Sequence, residues 1–174
     1  MRPQLGNIVL TENAANYMKP VNVGVVGLGT VGAGTVDVLS RNAPEIARRA
    51  GRKITVTRAA VRDLSRPRDC NTAAISLTQD PFSVASDPEV DVVLELMGGE
   101  ETAYQVVATA LQHGKHVVTA NKALIATRGN ELFAQASEAG LVIAFEAAVA
   151  GGIPVIKVLR EGLAGNRIDG VAGI

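Results

Sequence analysis

The feature that most constrains this chain is a turn with three glycines between a strand pattern and a helix pattern. The β-branched run Val21–Val26 precedes the turn, and the helical pattern Thr30–Arg41 begins within it. In such a unit the first glycine permits the tight turn, the second lets the backbone approach a pyrophosphate, and the third lets the helix pack on the strand. The helix N-terminus adds amide donors. We therefore expect a dinucleotide site here, and the alternative is a glycine-rich turn of another α/β protein. Its six residues are Gly27, Leu28, Gly29, Thr30, Val31 and Gly32.

The rest of the chain alternates short apolar runs with longer helical patterns. Further strands are expected over residues 54–61, 90–96, 116–119 and 141–145, with a last strand beginning at 168 and running to 174. Further helices are expected over residues 44–50, 102–113, 130–139 and 154–162. Near-continuous apolar strands that alternate with helices are typical of a parallel sheet covered on both faces. The pattern predicts a doubly wound α/β fold of the Rossmann type.

Composition excludes several classes of partner. Seventeen basic and seventeen acidic residues cancel, so there is no surplus positive charge for nucleic-acid phosphates. No apolar run approaches the roughly 20 residues that cross a bilayer, and residues 1–17 lack the layout of a signal peptide. The one cysteine, Cys70, has no partner for an intrachain disulfide. We expect a cytoplasmic protein that binds neither nucleic acid nor membrane.

The end of the second strand carries the residues that choose between cofactors. In this fold the position faces the adenosine ribose, where an acidic group favours the free 2′-hydroxyl and an arginine accommodates the 2′-phosphate of NADP. Arg62 comes first, Asp63 follows, and Arg66 and Arg68 lie close behind. A guanidinium matches a phosphate in forked geometry, so Arg62 predicts a preference for NADP. The alternative is that the arginines form a solvated face and that Asp63 holds NAD.

The strand at 90–96 is followed by a pair of glycines, Gly98 and Gly99. Ligands in open parallel sheets bind at the carboxyl edge, so Gly98 is a candidate for contact with the nicotinamide half. A plain strand-to-helix turn is the alternative. Glu95 lies within this apolar strand, and a buried carboxylate needs a partner. The sequence does not identify that partner.

Three stretches in the second half of the chain carry a resemblance to one family. They resemble segments of the homoserine dehydrogenases, and the resemblance covers residues 21–174. The stretches are Thr119-Ala120-Asn121-Lys122-Ala123-Leu124, Phe145-Glu146-Ala147-Ala148-Val149-Ala150-Gly151-Gly152-Ile153-Pro154, and Gly162 with Asn166-Arg167-Ile168. The family interconverts L-homoserine and L-aspartate 4-semialdehyde with NAD or NADP, on the route to threonine, methionine and isoleucine.

The resemblance implies roles for individual residues. It implies that the glycine turn holds the pyrophosphate and that Lys122 approaches the cofactor near its nicotinamide end, the alternative being a solvated charge. It also implies a monovalent cation, such as sodium, bound by one carboxylate and several backbone carbonyls. An irregular glycine-rich turn suits a hard cation that prefers oxygen ligands. The alternative is that Glu146 caps the helix beginning near Pro154. The matching residues are Glu146, Val149, Gly151 and Ile153.

The resemblance also divides the chain into three parts. We expect a flexible extension over residues 1–17, a dinucleotide-binding domain over 18–150, and over 151–174 the truncated start of a substrate domain. In the family the substrate-binding acidic residues and the catalytic lysine lie in that following domain. We therefore expect no catalytic residue in this chain, no oxidation of homoserine by it alone, and self-association as a homo-oligomer through uncovered apolar surface.

Two other functions fit parts of the sequence. One is a related amino-acid reductase, such as an aspartate dehydrogenase-like enzyme, against which the stretch 145–154 argues. The other is a non-catalytic nucleotide-sensing Rossmann module. The apolar residues at 171–174 argue against a self-contained module, because they are typical of an unfinished strand.

Overall fold

The computed structural model describes residues 18–173, and they form one six-stranded parallel sheet with helices on both faces. The strand order is β3-β2-β1-β4-β5-β6, and every neighbouring pair is parallel. This is the doubly wound order, in which the chain reverses direction across the sheet between β1 and β4. The strands are β1 (Val21–Val26), β2 (Ile54–Ala60), β3 (Ser76–Thr78), β4 (Val92–Glu95), β5 (His116–Thr119) and β6 (Ile143–Ala144).

Helices follow every strand except β2, which leads to β3 without one. No helix in the described residues is long and apolar enough to span a membrane. After β6 come a 3₁₀ turn, Glu146–Ala148, and a short helix whose second part is π-helical, Val158–Gly162. The α-helices are α1 (Thr30–Arg41), α2 (Ala43–Ala50), α3 (Pro81–Ala85), α4 (Glu101–Gln112), α5 (Lys122–Glu138) and α6 (Val155–Lys157).

Alternation along β1 creates a separate core on each face of the sheet. Val23 and Val25 pack with Val36 of α1 in one cluster. Val26 belongs to the other cluster, with α3, α4 and α5. Gly24 faces this second cluster, where an added Cβ would lie 2.6 Å from Val84. Successive residues of a strand point to opposite faces, and covering both faces with apolar side chains explains the continuous apolar strands.

Most expected elements are confirmed, and four differ. The sequence analysis missed β3 and α3, which are three and five residues long. Helix α5 begins at Lys122, eight residues before the expected 130, because Asn121 caps it. The expected strand from 168 is wrong, since residues 168–173 have no regular structure and are exposed. A strand needs a hydrogen-bonding neighbour, and within residues 18–173 the edge strand β6 pairs only with β5. The expectation for residues 1–17 lies outside the described residues.

Candidate functional site

A groove of about 300 Å³ opens at the carboxyl edge of the sheet, where the strand order reverses between β1 and β4. Open parallel sheets bind ligands at this reversal point. The groove brings together three parts of the chain that the sequence analysis singled out separately: the glycine turn, the end of β2 and the end of β4. Its lining residues include Gly27, Leu28, Gly29, Arg62, Asp63, Arg66, Arg68, Gln79, Pro81, Met97 and Gly98.

The three glycines of the turn have three different surroundings. Gly27 has φ +101°, and an added Cβ would lie 2.7 Å from the carbonyl oxygen of Leu96. A Cβ on Gly32 would lie 1.9 Å from the carbonyl oxygen of Gly27, so only glycine lets α1 approach the strand this closely. A Cβ on Gly29 would meet nothing within 4 Å. Gly27 and Gly32 therefore shape the turn, and Gly29 leaves free space in front of it.

The N-terminus of α1 provides the donors for an anion. Gly29 is the N-cap residue and has no side chain to accept the first amide hydrogens, and the first turn carries no acidic residue. The amides of the first turn and the helix dipole favour negative charge there. Leu28 is buried in the core, whereas Thr30 and Val31 are exposed. The turn thus exposes its backbone in front of Gly29, and contact of this backbone with a ligand stays a prediction.

The loop after β2 presents arginines to the groove, and one carboxylate oxygen of Asp63 is engaged within the loop. Oδ1 of Asp63 accepts hydrogen bonds from the Oγ of Ser65 at 2.7 Å and from its backbone nitrogen at 2.9 Å. The Ser65 hydroxyl and amide lower the pKa of Asp63. Arg68 donates to the Asp63 carbonyl. Arg62, Asp63 and Arg66 are all exposed and line the groove, so this end offers a ligand guanidinium groups together with the second carboxylate oxygen of Asp63.

Sequence reasoning missed the residues that fasten this loop. The Nε2 of Gln79 donates to the carbonyl of Arg62 at 2.9 Å, and the backbone nitrogen of Val61 donates to Thr78 at 2.8 Å. Strand β3 thereby fixes where Arg62 leaves the sheet. The pair Asp80 and Pro81 is a helix-start signal that announces α3, and Asp80 does cap it. No comparable signal marks Gln79.

Behind the opposite side of the groove, which Leu96, Met97 and Gly98 line, Glu95 is fully buried at the end of β4. Its Oε2 accepts from the hydroxyl of Thr119 at 2.6 Å, and its Oε1 accepts from the backbone nitrogen of Met97 at 3.0 Å. Burial raises the pKa of Glu95, and these hydrogen bonds oppose that rise. The partner that the sequence left unidentified is thus a threonine on the neighbouring strand β5.

Asn121 and Lys122 begin α5 beside this network. The side-chain oxygen of Asn121 accepts from the backbone nitrogen of Leu124 at 3.1 Å, and its Nδ2 donates to the carbonyl of Gly99 at 2.7 Å. Gly99 has φ +90°, which favours glycine. Lys122 is exposed at the first position of α5 and is not among the residues that line the groove.

The segment after β6 gives Glu146 the capping role that the sequence left as an alternative. The two carboxylate oxygens accept from the backbone nitrogens of Ile156 and Lys157, each at 2.9 Å. The carbonyl of Ile153 accepts from Val155 at 2.8 Å. Within residues 18–173, no three His, Cys, Asp or Glu side chains are grouped so that they could hold a metal ion. The cation implied by the resemblance stays a prediction.

The strand order, the glycine turn and the groove together define a nucleotide-binding α/β domain of the Rossmann type. The family model described as "Homoserine dehydrogenase, NAD binding domain" matches residues 27–146. The chain therefore belongs to the homoserine dehydrogenase family, in its NAD-binding domain.

Individual relatives agree with this assignment. The chain is 62% identical over 158 residues to homoserine dehydrogenase of Pseudomonas aeruginosa and 52% identical over 160 residues to that of Neisseria gonorrhoeae. Each match covers 90% of this chain and 36% of the relative. A solved homoserine dehydrogenase from Thiobacillus denitrificans matches with a TM-score of 0.81 and 58% identity, over 86% of this chain and 34% of that one. The chain thus spans about a third of the length of these relatives.

Proposed function

We propose that this chain binds the nicotinamide cofactor for an enzyme that interconverts L-homoserine and L-aspartate 4-semialdehyde. The observation that carries the proposal is the groove where the strand order reverses between β1 and β4. In a member of this family it joins the glycine turn, the loop after β2 with its arginines, and the end of β4. The pyrophosphate fits at the free amides of α1. The adenosine half then lies toward β2, and the nicotinamide half lies toward β4.

The residues present fit this cofactor. The free space in front of Gly29 lets a pyrophosphate reach the backbone, and the guanidinium groups of Arg62 and Arg66 suit the 2′-phosphate of NADP. The bound cofactor supplies the hydride chemistry. What this chain contributes is anchoring and orientation of the two halves. Preference for NADP over NAD is part of the proposal, because Arg62, Arg66 and Arg68 line this end of the groove and a guanidinium matches a phosphate in forked geometry.

A chimera tests the proposed reaction. Residues 18–173 replace the matching segment of the Pseudomonas aeruginosa relative, and oxidation of homoserine with NADP⁺ is followed by absorbance of the reduced cofactor. We expect activity with homoserine and none with aspartate. The matched control chimera carries Gly29→Val and should be inactive. A folded chimera that binds NADPH but does not turn over homoserine would contradict the proposal that this domain serves homoserine oxidation.

The cation is tested separately. Both oxygens of Glu146 and the carbonyl of Ile153 already accept backbone amides, so this arrangement fits a cap better than a cation site. No step of the proposed function depends on the cation. If sodium binds here, the melting temperature rises with sodium relative to an equal concentration of tetramethylammonium, and Glu146→Gln removes that difference. A cap alone gives the same melting temperature in both salts.

The proposal places the protein in the cytoplasm as a homo-oligomer. The edge strand β6 and the exposed side chains of Val142, Ile153 and Val158 offer an apolar surface for association. Uncovered sheet edges and apolar patches favour contact with other chains. Light scattering measures the mass in solution, and a monomer at high concentration would contradict this part of the proposal.

A further inference from the structure

Glu95 belongs to a closed ring of hydrogen bonds on the nicotinamide side of the groove. Starting from its carboxylate, the ring runs through the backbone of residues 97–99, then through Asn121 and back through the hydroxyl of Thr119. The backbone nitrogen of Asn121 donates to Thr119 at 3.0 Å and completes the ring. Glu95 and Thr119 are both fully buried. Three elements therefore share one polar network: the end of β4, the end of β5 and the start of α5.

The ring also reaches the glycine turn. Gly27 packs against the peptide between Leu96 and Met97. A Cβ added to Gly27 would lie 2.7 Å from the Leu96 oxygen and 3.1 Å from the Met97 nitrogen. That same Met97 nitrogen donates to Glu95. The carboxylate of Glu95 thus orients the peptide between Leu96 and Met97. This peptide supports the glycine turn and also positions Gly98, which lines the groove.

The direction of each bond shows that the ring uses two acceptor oxygens. The Thr119 oxygen accepts from the Asn121 nitrogen, so its own hydrogen is free to go to Glu95. Met97 donates from its backbone. A glutamine at position 95 keeps the size of the side chain but turns one acceptor into an NH₂ donor. Either the Met97 nitrogen or the Thr119 hydroxyl would then face this NH₂ group instead of an acceptor. Leaving a buried donor unsatisfied is costly.

We propose that Glu95 is a positioning residue for the nicotinamide half of the cofactor. Its carboxylate fixes the backbone of Met97 to Gly99 and the start of α5 in place beside the groove. The role rests on the proposed function, since it requires that a nicotinamide dinucleotide binds there. Glu95 acts through these neighbours and lies on the side of the groove opposite Arg62. The adenosine half should depend on it much less, because the glycine turn is also held from the β2 side by the hydrogen bond that the Gly27 nitrogen donates to the Ala60 carbonyl at 3.0 Å.

Two probes separate this role from general support of the fold. NADPH spans both halves of the groove, whereas 2′,5′-ADP occupies only the adenosine half. In the 174-residue chain, Glu95→Gln should weaken NADPH binding by about tenfold and leave the affinity for 2′,5′-ADP within about twofold. The nicotinamide emission of bound NADPH should shift toward that of the free cofactor. The exposed Glu138→Gln is the matched control and should match the wild type for both probes.

Variants of Thr119 test the ring without altering Glu95. Thr119→Val keeps the side-chain shape and removes the hydroxyl, so it should reproduce the selective loss of NADPH affinity. Thr119→Ser retains the hydroxyl and should bind NADPH as the wild type does. If Glu95→Gln does not fold, this pair decides the question.

The proposal is overturned if Glu95→Gln, or Thr119→Val in its place, binds NADPH as tightly as the wild type. It is also overturned if NADPH and 2′,5′-ADP lose affinity by the same factor, because that result indicates a purely structural role. A wild-type chain that binds neither probe would refute the proposed function itself, and this role with it.

Discussion

The two halves of the sheet meet the groove in different ways. On the β1–β2–β3 side the groove is formed by a bare backbone turn and by exposed guanidinium groups, with Arg62 and Arg66 in solvent. On the β4–β5–β6 side the central polar groups are buried, since Glu95 and Thr119 have no exposed surface. The first half offers charge to a ligand directly. The second half uses charge internally to hold a backbone segment in place.

This difference separates recognition from orientation. Exposed groups that bind a phosphate can be removed with little effect on the fold, because surface substitutions usually change stability by less than about 0.5 kcal/mol. Buried hydrogen-bonded groups are coupled to the fold, because each unsatisfied donor or acceptor costs about 1–3 kcal/mol. Variants in the two halves should therefore change different observables.

The largest expected effect concerns the close approach of α1 to the glycine turn, on the β1–β2–β3 side. Gly32→Ala should lower the free energy of unfolding by about 3 kcal/mol, the upper range for overpacking, because the new Cβ would lie 1.9 Å from the Gly27 oxygen. Gly34→Ala in the same helix is the control, since its Cβ meets nothing within 4 Å. It should stabilise the chain by about 0.5–1 kcal/mol. Urea denaturation measures both, and equal behaviour of the two variants would contradict the packing role of Gly32.

The next effect concerns recognition of the 2′-phosphate. Arg62→Ala should weaken binding of NADP(H) by roughly 1.5–3 kcal/mol, the scale of a hydrogen bond to a charged group, with little change for NAD(H). Arg49→Ala is the control, because Arg49 pairs with Glu45 on α2 and does not line the groove. Titration calorimetry with both cofactors decides the matter. Equal losses for the two cofactors would remove Arg62 from the 2′-phosphate site.

The smallest expected effect is a pH dependence of the unfolding free energy that Glu95 causes on the β4–β5–β6 side. Burial raises the pKa of Glu95 above its ordinary value of 4.5, so the folded chain holds this proton to higher pH than the unfolded chain. Its contribution to stability is full below that ordinary value and is lost as pH rises through the raised pKa. The unfolding free energy of the wild type should therefore fall relative to that of Glu95→Gln as pH rises above 4.5.

Glu45 provides a comparison of opposite sign for this measurement. Hydrogen bonds from Arg48 and then Arg49 lower the pKa of Glu45 to about 2, so its contribution is present above pH 4.5 and is lost as pH falls toward 2. The stability difference between the wild type and Glu45→Gln should thus grow as pH rises through this range. The same slope for both variants would contradict the opposite environments of the two carboxylates.

The sequence predicts the first half of the groove better than the second. The glycine turn and Arg62 are local patterns with a known physical purpose, and the structure places both at the groove. The partner of Glu95 is out of reach of such patterns, because Thr119 lies 24 residues further along the chain. A contact across neighbouring strands becomes visible only when strand order and register are known.

Short and capped elements account for the other differences. Strand β3 is too short for any periodicity, so the sequence reveals neither it nor the contact of Gln79 with Arg62. The start of α5 is marked by Asn121, which is a recognisable capping residue, but the sequence analysis used it only as part of a family motif. The apolar residues near 168–173 have a strand composition without a strand to pair with.

The central claim is that the groove in front of Gly29 binds a nicotinamide dinucleotide. The most direct test is titration of the wild-type chain and of Gly29→Val with NADPH, together with urea denaturation of both. The account predicts binding by the wild type and none by Gly29→Val. The variant should remain folded within about 1 kcal/mol, because valine is only a poorer N-cap residue than glycine and its Cβ enters open space. Absence of binding to the wild type, or undiminished binding to folded Gly29→Val, would contradict the account.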